Sequence, residues 1–496
     1  MSESSVAHWS DSARLQVLAL TGLALLVAAI AIVPARHAPA NADEFVYLVG
    51  AQRYATTGSL DAVYYDLGPL LTTPFPFQDV HAPGYIMMLG LLMRLIGPGY
   101  WTAIVMNIFC LVLSSWLIWD TLRALGCRKL APLSAACFLF VPTNAVYSAW
   151  VMTEVTLCAA VLVPFWIAAR FGHRVSGALI CGASLGLAIL MRESAVFVAP
   201  ALIGLLCRSR KSVVAFALGT ALFVGLVFIP LSKNRGPGGA NLSKPMAGQA
   251  VGADAILATR RGDLLAAAKL SLARARRNAA QLASAGTFWP ERLILGLYLT
   301  FFLWGLSGAR RLNPQRRGLA IGLWLGFVGM IAVLFFFFIV GGWSGYRYLM
   351  VMTPPLLLAL PEPRRGAWTG RALLLPATLV VFCVVASVLA FRVLDAFKRH
   401  GEDAIDEIAY VNRYIKTTPE RIVWQNGFDY GRRHFPSDVI VSVPQDVSTF
   451  KALENAVWFD YVVLSTWQTI LDDRGRYELV NRDDTQPLLK IFRRLR

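Results

Sequence analysis

The sequence predicts a mainly α, polytopic membrane helical bundle of about eleven transmembrane helices. It also predicts amphipathic helices in the first extracytoplasmic loop and a small C-terminal α/β domain. Three observations carry this. Of 496 residues, 56% are hydrophobic and 16% charged, with a mean hydropathy of +0.54, which is too apolar for a soluble chain of this length. About eleven apolar stretches match the roughly 20 residues a helix needs to cross hydrocarbon. Cationic clusters occupy alternate gaps between these stretches, and acidic and aromatic motifs occupy the others.

The stretches run near 15–34, 99–122, 131–149, 152–169, 175–191, 194–207, 212–231, 291–308, 318–340, 346–361 and 372–392. The first has an apolar run longer than the core of a cleavable signal, so it is expected to be retained as a span. Lys and Arg in short loops stay cytoplasmic. With the N-terminus cytoplasmic, every inside loop is basic: Arg123, Arg128 and Lys129; Arg170 and Arg174; Arg208, Arg210 and Lys211; Arg310, Arg311, Arg316 and Arg317; Arg364, Arg365 and Arg371. Eleven spans then place the C-terminal segment outside.

The net charge of +17 has the same origin. From residue 396 onward, 15 basic residues balance 15 acidic ones, so the excess belongs to the membrane part, 1–395. Dispersed loop cations have a topological cause, and no nucleic-acid partner is expected. Seven Cys residues, none after residue 383, form no CxxC pair, and six scattered His residues give no metal-ligand spacing.

Three outside segments remain. Residues 35–98 open with Asn41-Ala-Asp-Glu-Phe-Val-Tyr, in which Phe45, Leu48 and Val49 follow helical spacing, so a short amphipathic helix is expected on the membrane surface. Residues 232–290 read as a Gly/Pro loop followed by a basic helix with Arg260, Arg261, Lys269, Arg274, Arg276 and Arg277. That helix runs against the charge rule, which long loops obey weakly; if it lies outside, it suits an anionic lipid or acceptor surface. Residues 396–496 alternate helix-like and strand-like segments, with strands at Arg421–Gln425, Asp438–Val443 and Tyr461–Ser465. This pattern predicts a small α/β domain with a largely parallel sheet and no Gly-rich phosphate loop.

The outside motifs supply the candidate chemistry, and each has a plainer alternative. Asp43 and Glu44 stand where carboxylates reach a substrate at the bilayer edge, and equally where a helix start favours acids. Glu154, in Trp150-Val-Met-Thr-Glu, is either a functional charge close to hydrocarbon or a solvated span end. Arg192 and Glu193 pair with each other in the plain reading, although an outward Arg is unusual. Arg347, in Gly341-Gly-Trp-Ser-Gly-Tyr-Arg-Tyr, offers several fixed donors to a phosphate, or snorkels to lipid headgroups. His81 reads as a loop histidine, and the aromatic residues at the outer boundary belong to an interfacial belt or stack on sugar rings.

Taken in order, Asp43-Glu44-Phe-Val-Tyr, His81-Ala-Pro-Gly-Tyr-Ile-Met-Met-Leu, Thr153-Glu154, Met191-Arg192-Glu193 and Tyr346-Arg347-Tyr348 resemble the polytopic lipid-phosphosugar glycosyltransferases. That superfamily, GT-C, includes protein O-mannosyltransferases and the aminoarabinose transferases of lipid A. The resemblance covers nearly the whole chain in order and topology. It departs in two places: His81-Ala82-Pro83 stands where many relatives carry His-Pro-Pro or Lys-Pro-Pro, and Glu154 stands where many have Asp.

The resemblance implies an inverting transferase of the cell envelope, in the cell (inner) membrane. It would move a sugar from a polyprenyl-phosphate donor to an acceptor hydroxyl of a lipid, protein or polysaccharide, with no cofactor and no metal. Asp43 is the implied base, and Glu44 orients it or the sugar. Glu154 holds the acceptor or raises the basicity of Asp43. His81, Arg192, Arg347 and Tyr348 fall to donor binding. Two other classes fit a multi-span chain: a transporter or flippase of a lipid-linked saccharide, and a polymerase or ligase of long glycans. Transporters place charge and broken helices near the midplane, whereas the acids here sit at loop edges.

Overall fold

The computed structural model describes residues 13–32, 42–58, 62–63, 76–77, 83–141, 147–228, 262–283, 312–337, 347–360, 409–415, 422–424, 439–440, 459–465, 475–485 and 489–495, with a few isolated positions besides. In chain order the helices are α1 (Ala13–Ile32), α2 (Ala42–Thr57), α3 (Gly84–Ile96), α4 (Tyr100–Ala124), α5 (Leu130–Leu139), α6 (Thr153–Phe171) and α7 (Val175–Met191). After the 3-10 turn Glu193–Val198 come α8 (Ala199–Leu206), α9 (Arg210–Phe223), α10 (Leu264–Ala283) and α11 (Pro314–Phe337). A second 3-10 turn, Arg347–Met352, leads into α12 (Thr353–Ala359). Among the described residues, five helices are long and apolar enough to cross a membrane, namely α1, α4, α6, α9 with its π extension, and α11. The expected spans 291–308 and 372–392 fall almost wholly outside the described residues.

Three expected spans are shorter or broken, each for a local reason. The stretch 131–149 is helical to Leu139, breaks there, and is helical again at Asn144, Tyr147 and Ser148. Pro142 disfavours helix in the residue before it, and the Asn144 side chain donates to the Phe138 carbonyl at 2.6 Å, taking up a carbonyl that the helix end leaves open. The stretch 194–207 is the 3-10 turn plus α8, with Pro200 in the first helical turn. The stretch 346–361 begins as a 3-10 turn and becomes α-helical only at Thr353, where two prolines fill the first turn.

α4 packs parallel to α6 and α7 parallel to α9, whereas α6 with α7 and α8 with α11 pack antiparallel. The last pair meets backbone to backbone. A Cβ on Gly204 would stand 2.0 Å from the Gly318 carbonyl oxygen, and one on Gly318 would stand 2.1 Å from that of Gly204. Only glycine allows this approach, and close backbone contact is the main source of helix association where apolar burial favours neither helix nor lipid. Gly318→Val is expected to force α8 and α11 apart and to destabilise the protein by about 1–3 kcal/mol. A lower melting temperature in detergent would show this, with Leu325→Val on the exposed side of α11 leaving the temperature unchanged.

Between α2 and α3 lies a two-stranded antiparallel ladder, β1 (Ala62–Val63) with β2 (Pro76–Phe77). The C-terminal segment forms a five-stranded sheet from β3 (Ile422–Trp424), β4 (Val439–Ile440), β5 (Tyr461–Ser465), β6 (Tyr477–Leu479) and β7 (Leu489–Arg494), in the order β4-β3-β5-β7-β6. The three strands expected from sequence pair in parallel. β6 and β7 add an antiparallel edge, so the sheet is mixed rather than largely parallel. Ile422, Tyr461, Val463, Leu489 and Ile491 pack its core with Tyr410, Val411 and Ile415.

Candidate active site

The site is built from the starts and ends of helices at one end of the bundle. The connection into α6 is clamped from two sides. From α4, the Tyr100 hydroxyl donates to the Ala149 carbonyl at 3.0 Å, and the Asn107 amide donates to the carbonyls of Trp150 and Tyr147. Asn107 Oδ1 in turn accepts from the Thr156 hydroxyl at 3.2 Å. From α2, Glu44 Oε1 accepts the Val151 backbone N–H at 2.7 Å. A residue from α2 thus fixes the loop that delivers Thr153 and Glu154.

Glu44 is fully buried. It shares a face with Tyr47, Leu48 and Ala51, all buried, at the i, i+3, i+4, i+7 spacing of one helix side. Leu48 lies in the core, and the side chains of Phe45 and Val49 fall outside the described residues.

Glu154, at the first turn of α6, and Arg192, just past the end of α7, meet because α7 runs back antiparallel to α6. Arg192 leaves the helix in extended backbone, with φ −164° and ψ 131°. Its Nη1 lies 2.6 Å from Glu154 Oε1 and 3.2 Å from the Thr153 hydroxyl. Both partners are buried, 1% and 7% exposed, so each charge depends on the other for compensation.

α3 closes the group. A Cβ on Gly84 would stand 2.7 Å from the Leu190 carbonyl oxygen and 2.9 Å from the Met191 nitrogen, so glycine lets the start of α3 press against the end of α7, beside Arg192. The next residue, Tyr85, is fully buried and stacks edge-on against Tyr47 with ring centroids 4.9 Å apart. Its hydroxyl has no hydrogen-bond partner among the described residues. Burial holds the phenol well above its ordinary value, and neighbouring Cys110, Glu44, Glu154 and Tyr100 push it the same way. A buried hydroxyl with no partner, in the field of two carboxylates, is a donor awaiting an acceptor.

The structure also places the other candidates. Asp43 lies on α2 next to Glu44. Arg347 and Tyr348 begin the 3-10 turn that packs on α6. Three residues further along that turn, the Met350 carbonyl accepts from Cys158, one helical turn beyond Glu154. The backbones of all these segments thus gather at one end of the bundle. The side chains of Asp43, Arg347 and Tyr348, and His81 altogether, lie outside the described residues. Among the described residues no three His, Cys, Asp or Glu side chains form a group that would hold a metal ion.

The opposite end has its own charge pair. Asp120 accepts from Arg170 and, at 2.6 Å, from the Trp166 indole. Glu154 and Arg170 stand sixteen positions apart on α6, about 24 Å at 1.5 Å per residue. The charged pairs therefore sit at the two ends of a spanning helix. Neither charge nor spacing marks Asn107, Tyr100 or Tyr85 as site residues in the sequence. Tyr85 does stand in the His81-Ala-Pro-Gly-Tyr motif, one place after the glycine that seats it.

Residues 80–232 match the family model described as dolichyl-phosphate-mannose-protein mannosyltransferase, a range that contains Tyr85, Asn107, Glu154 and Arg192. No curated protein matches the chain in sequence. Among solved structures, ArnT from Cupriavidus metallidurans bound to undecaprenyl phosphate superposes with a TM-score of 0.60 at 13% identity, covering 97% of this chain and 98% of ArnT. The apo form of the same enzyme gives 0.56 at 14% identity, over 96% and 97%. The Archaeoglobus fulgidus oligosaccharyltransferase tethered to an acceptor peptide gives 0.54 at 13% identity, over 92% of this chain and 70% of that one. Over residues 80–232 by family model, and over nearly its whole length by fold, the chain is similar to these membrane glycosyltransferases.

Proposed function

We propose that the protein transfers a sugar from a polyprenyl-phosphate donor to an acceptor hydroxyl on the extracytoplasmic face of the cell (inner) membrane, with inversion. The observation that carries this is the gathering of Glu44, Glu154, Arg192 and a Tyr85 hydroxyl without a hydrogen-bond partner among the described residues at one end of the bundle. Undecaprenyl phosphate occupies one similar structure, which supports a donor of that chemistry here.

In this reading the acceptor oxygen attacks the anomeric carbon as the bond from that carbon to the phosphate oxygen breaks. Asp43 takes the acceptor proton. The polyprenyl phosphate leaves as a stable anion, so its oxygen needs no acid. Negative charge grows on that phosphate, and fixed cationic donors stabilise it most where water is excluded. Arg192 and Arg347 serve this purpose, with His81 and Tyr348 lining the donor side. Glu44 positions Asp43 by anchoring α2 to the Val151 amide. Glu154 positions Arg192, a role that depends on their contact at 2.6 Å. The Tyr85 hydroxyl is left to donate to substrate.

A transporter or flippase of the lipid-linked sugar is disfavoured by the placement of the two ion pairs, the buried Glu154–Arg192 and the partly exposed Asp120–Arg170, at helix ends rather than mid-helix. The direct test is incubation of the reconstituted protein with a polyprenyl-phosphate sugar and a cell-envelope acceptor fraction. Release of polyprenyl phosphate with glycosylated acceptor is expected; movement of intact donor across the bilayer with no release would overturn the reading. Arg347→Ala is expected to raise KM for the donor about tenfold or more, the usual weight of a charge-assisted contact, with KM for the acceptor unchanged. An unaltered donor KM would leave Arg347 as a headgroup anchor.

A further inference from the structure

The helix α10, Leu264–Ala283, has no part in the proposed chemistry, yet its surface is built for a specific neighbour. Asp263 caps its start, accepting the Ala266 N–H at 2.9 Å. One narrow side is packed: Ala267 and Asn278 are buried, Ser271 and Arg274 half-buried, and the helix lies on α11. The rest is uncovered. At 3.6 residues per turn, Leu264, Ala268, Leu272 and Ala279 fall in one stripe with Leu265 at its edge. Leu264 and Leu265 are 68% and 66% exposed, and Leu272 is 49% exposed.

Lys269 and Arg276 border this stripe and Arg277 lies beyond them, all exposed, and residues 264–283 contain no acid. An uncovered leucine stripe flanked by cations, on a helix that is not among the candidate spans, matches a helix lying in the membrane interface. Its apolar side would enter the acyl boundary and its cations would meet phosphate groups. The cations have no acid within the helix to neutralise them, so the complementary partner is anionic.

We propose that α10 is an anionic-phospholipid docking helix, its leucine stripe inserted at the edge of the bilayer and Lys269, Arg276 and Arg277 bound to lipid phosphates. The test does not pass through sugar transfer, so it stands or falls separately from the transferase reading. Hydrogen–deuterium exchange of the full-length protein is compared in nanodiscs of phosphatidylcholine alone and with 30% phosphatidylglycerol.

Amides of 264–283 are expected to exchange more slowly with phosphatidylglycerol, by about fivefold for each cation engaged. The gain should disappear in high salt and in the K269Q/R276Q/R277Q variant, while α4 and α6 exchange equally in all samples. The three changes lie on exposed positions and leave the packed side intact. Equal protection in both lipid compositions overturns the proposal. So does an unchanged response in the variant, or protection that follows added anionic acceptor glycan instead of lipid.

Discussion

Asp43→Asn is expected to lower sugar transfer by about 10²–10⁴-fold, the usual contribution of a positioned general base, with no loss of melting temperature. Asn has the size and shape of Asp and keeps an acceptor oxygen, but it takes no proton from an attacking hydroxyl. The neighbouring anchor is untouched, since Glu44 still accepts the Val151 amide. Glu44→Gln supplies the contrast. Its amide oxygen can hold the same N–H, so kcat should fall far less, whereas Glu44→Ala leaves that buried N–H without its carboxylate and should cost stability as well as rate. Polyprenyl phosphate release and thermal melting, measured on the three variants side by side, separate proton transfer from scaffolding. Wild-type turnover in Asp43→Asn would remove Asp43 as the base.

The spans that were legible in the sequence are those whose limits depend on apolar length alone. α4, α6 and α7 begin and end within about two residues of the expected limits, with Gly99 before α4, Gly172 after α6, and Arg174 and Arg192 on either side of α7. The stretch 131–149 misled because hydropathy does not register Pro142 or the Asn144 side chain that takes up the Phe138 carbonyl. Glu154 and Arg192 stood out as candidates because charge near hydrocarbon is costly. Their pairing was not legible, since it depends on α7 returning beside α6 rather than on any spacing along the chain. Glu44 had the same character: it was seen as an acid at a helix start, and only folding shows it turned inward to a loop 107 positions away. Asn107 and Tyr85 carry no charge and sit among apolar residues, so no periodicity marks them. In the C-terminal sheet, Tyr461–Ser465 reads as a strand from its apolar run, but β7 has Lys490, Arg493 and Arg494 interleaved with its core residues.

Breaking the Glu154–Arg192 pair from one side only is expected to destabilise the protein by about 3–5 kcal/mol, because the remaining charge stays buried without its main counter-ion. Glu154→Met and Arg192→Leu should each show this loss. The double variant should recover most of it, since well-packed apolar side chains commonly replace a buried ion pair at little net cost. That recovery makes activity informative. If Arg192 faces the departing phosphate, the stable double variant still transfers slowly and its KM for the polyprenyl-phosphate donor is raised, whereas KM for the acceptor is not. If the pair serves only to join α6 to α7, regained stability brings back wild-type donor KM and kcat, and the assignment of Arg192 to the donor is lost. The outcome rests on the geometry of one contact: Nη1 is committed to Glu154 and Thr153, and the planar guanidinium carries further N–H donors fixed in direction by that same contact. A carboxylate that holds an arginine in place also sets where those donors point, which is why a lost Glu154 should change donor recognition through Arg192.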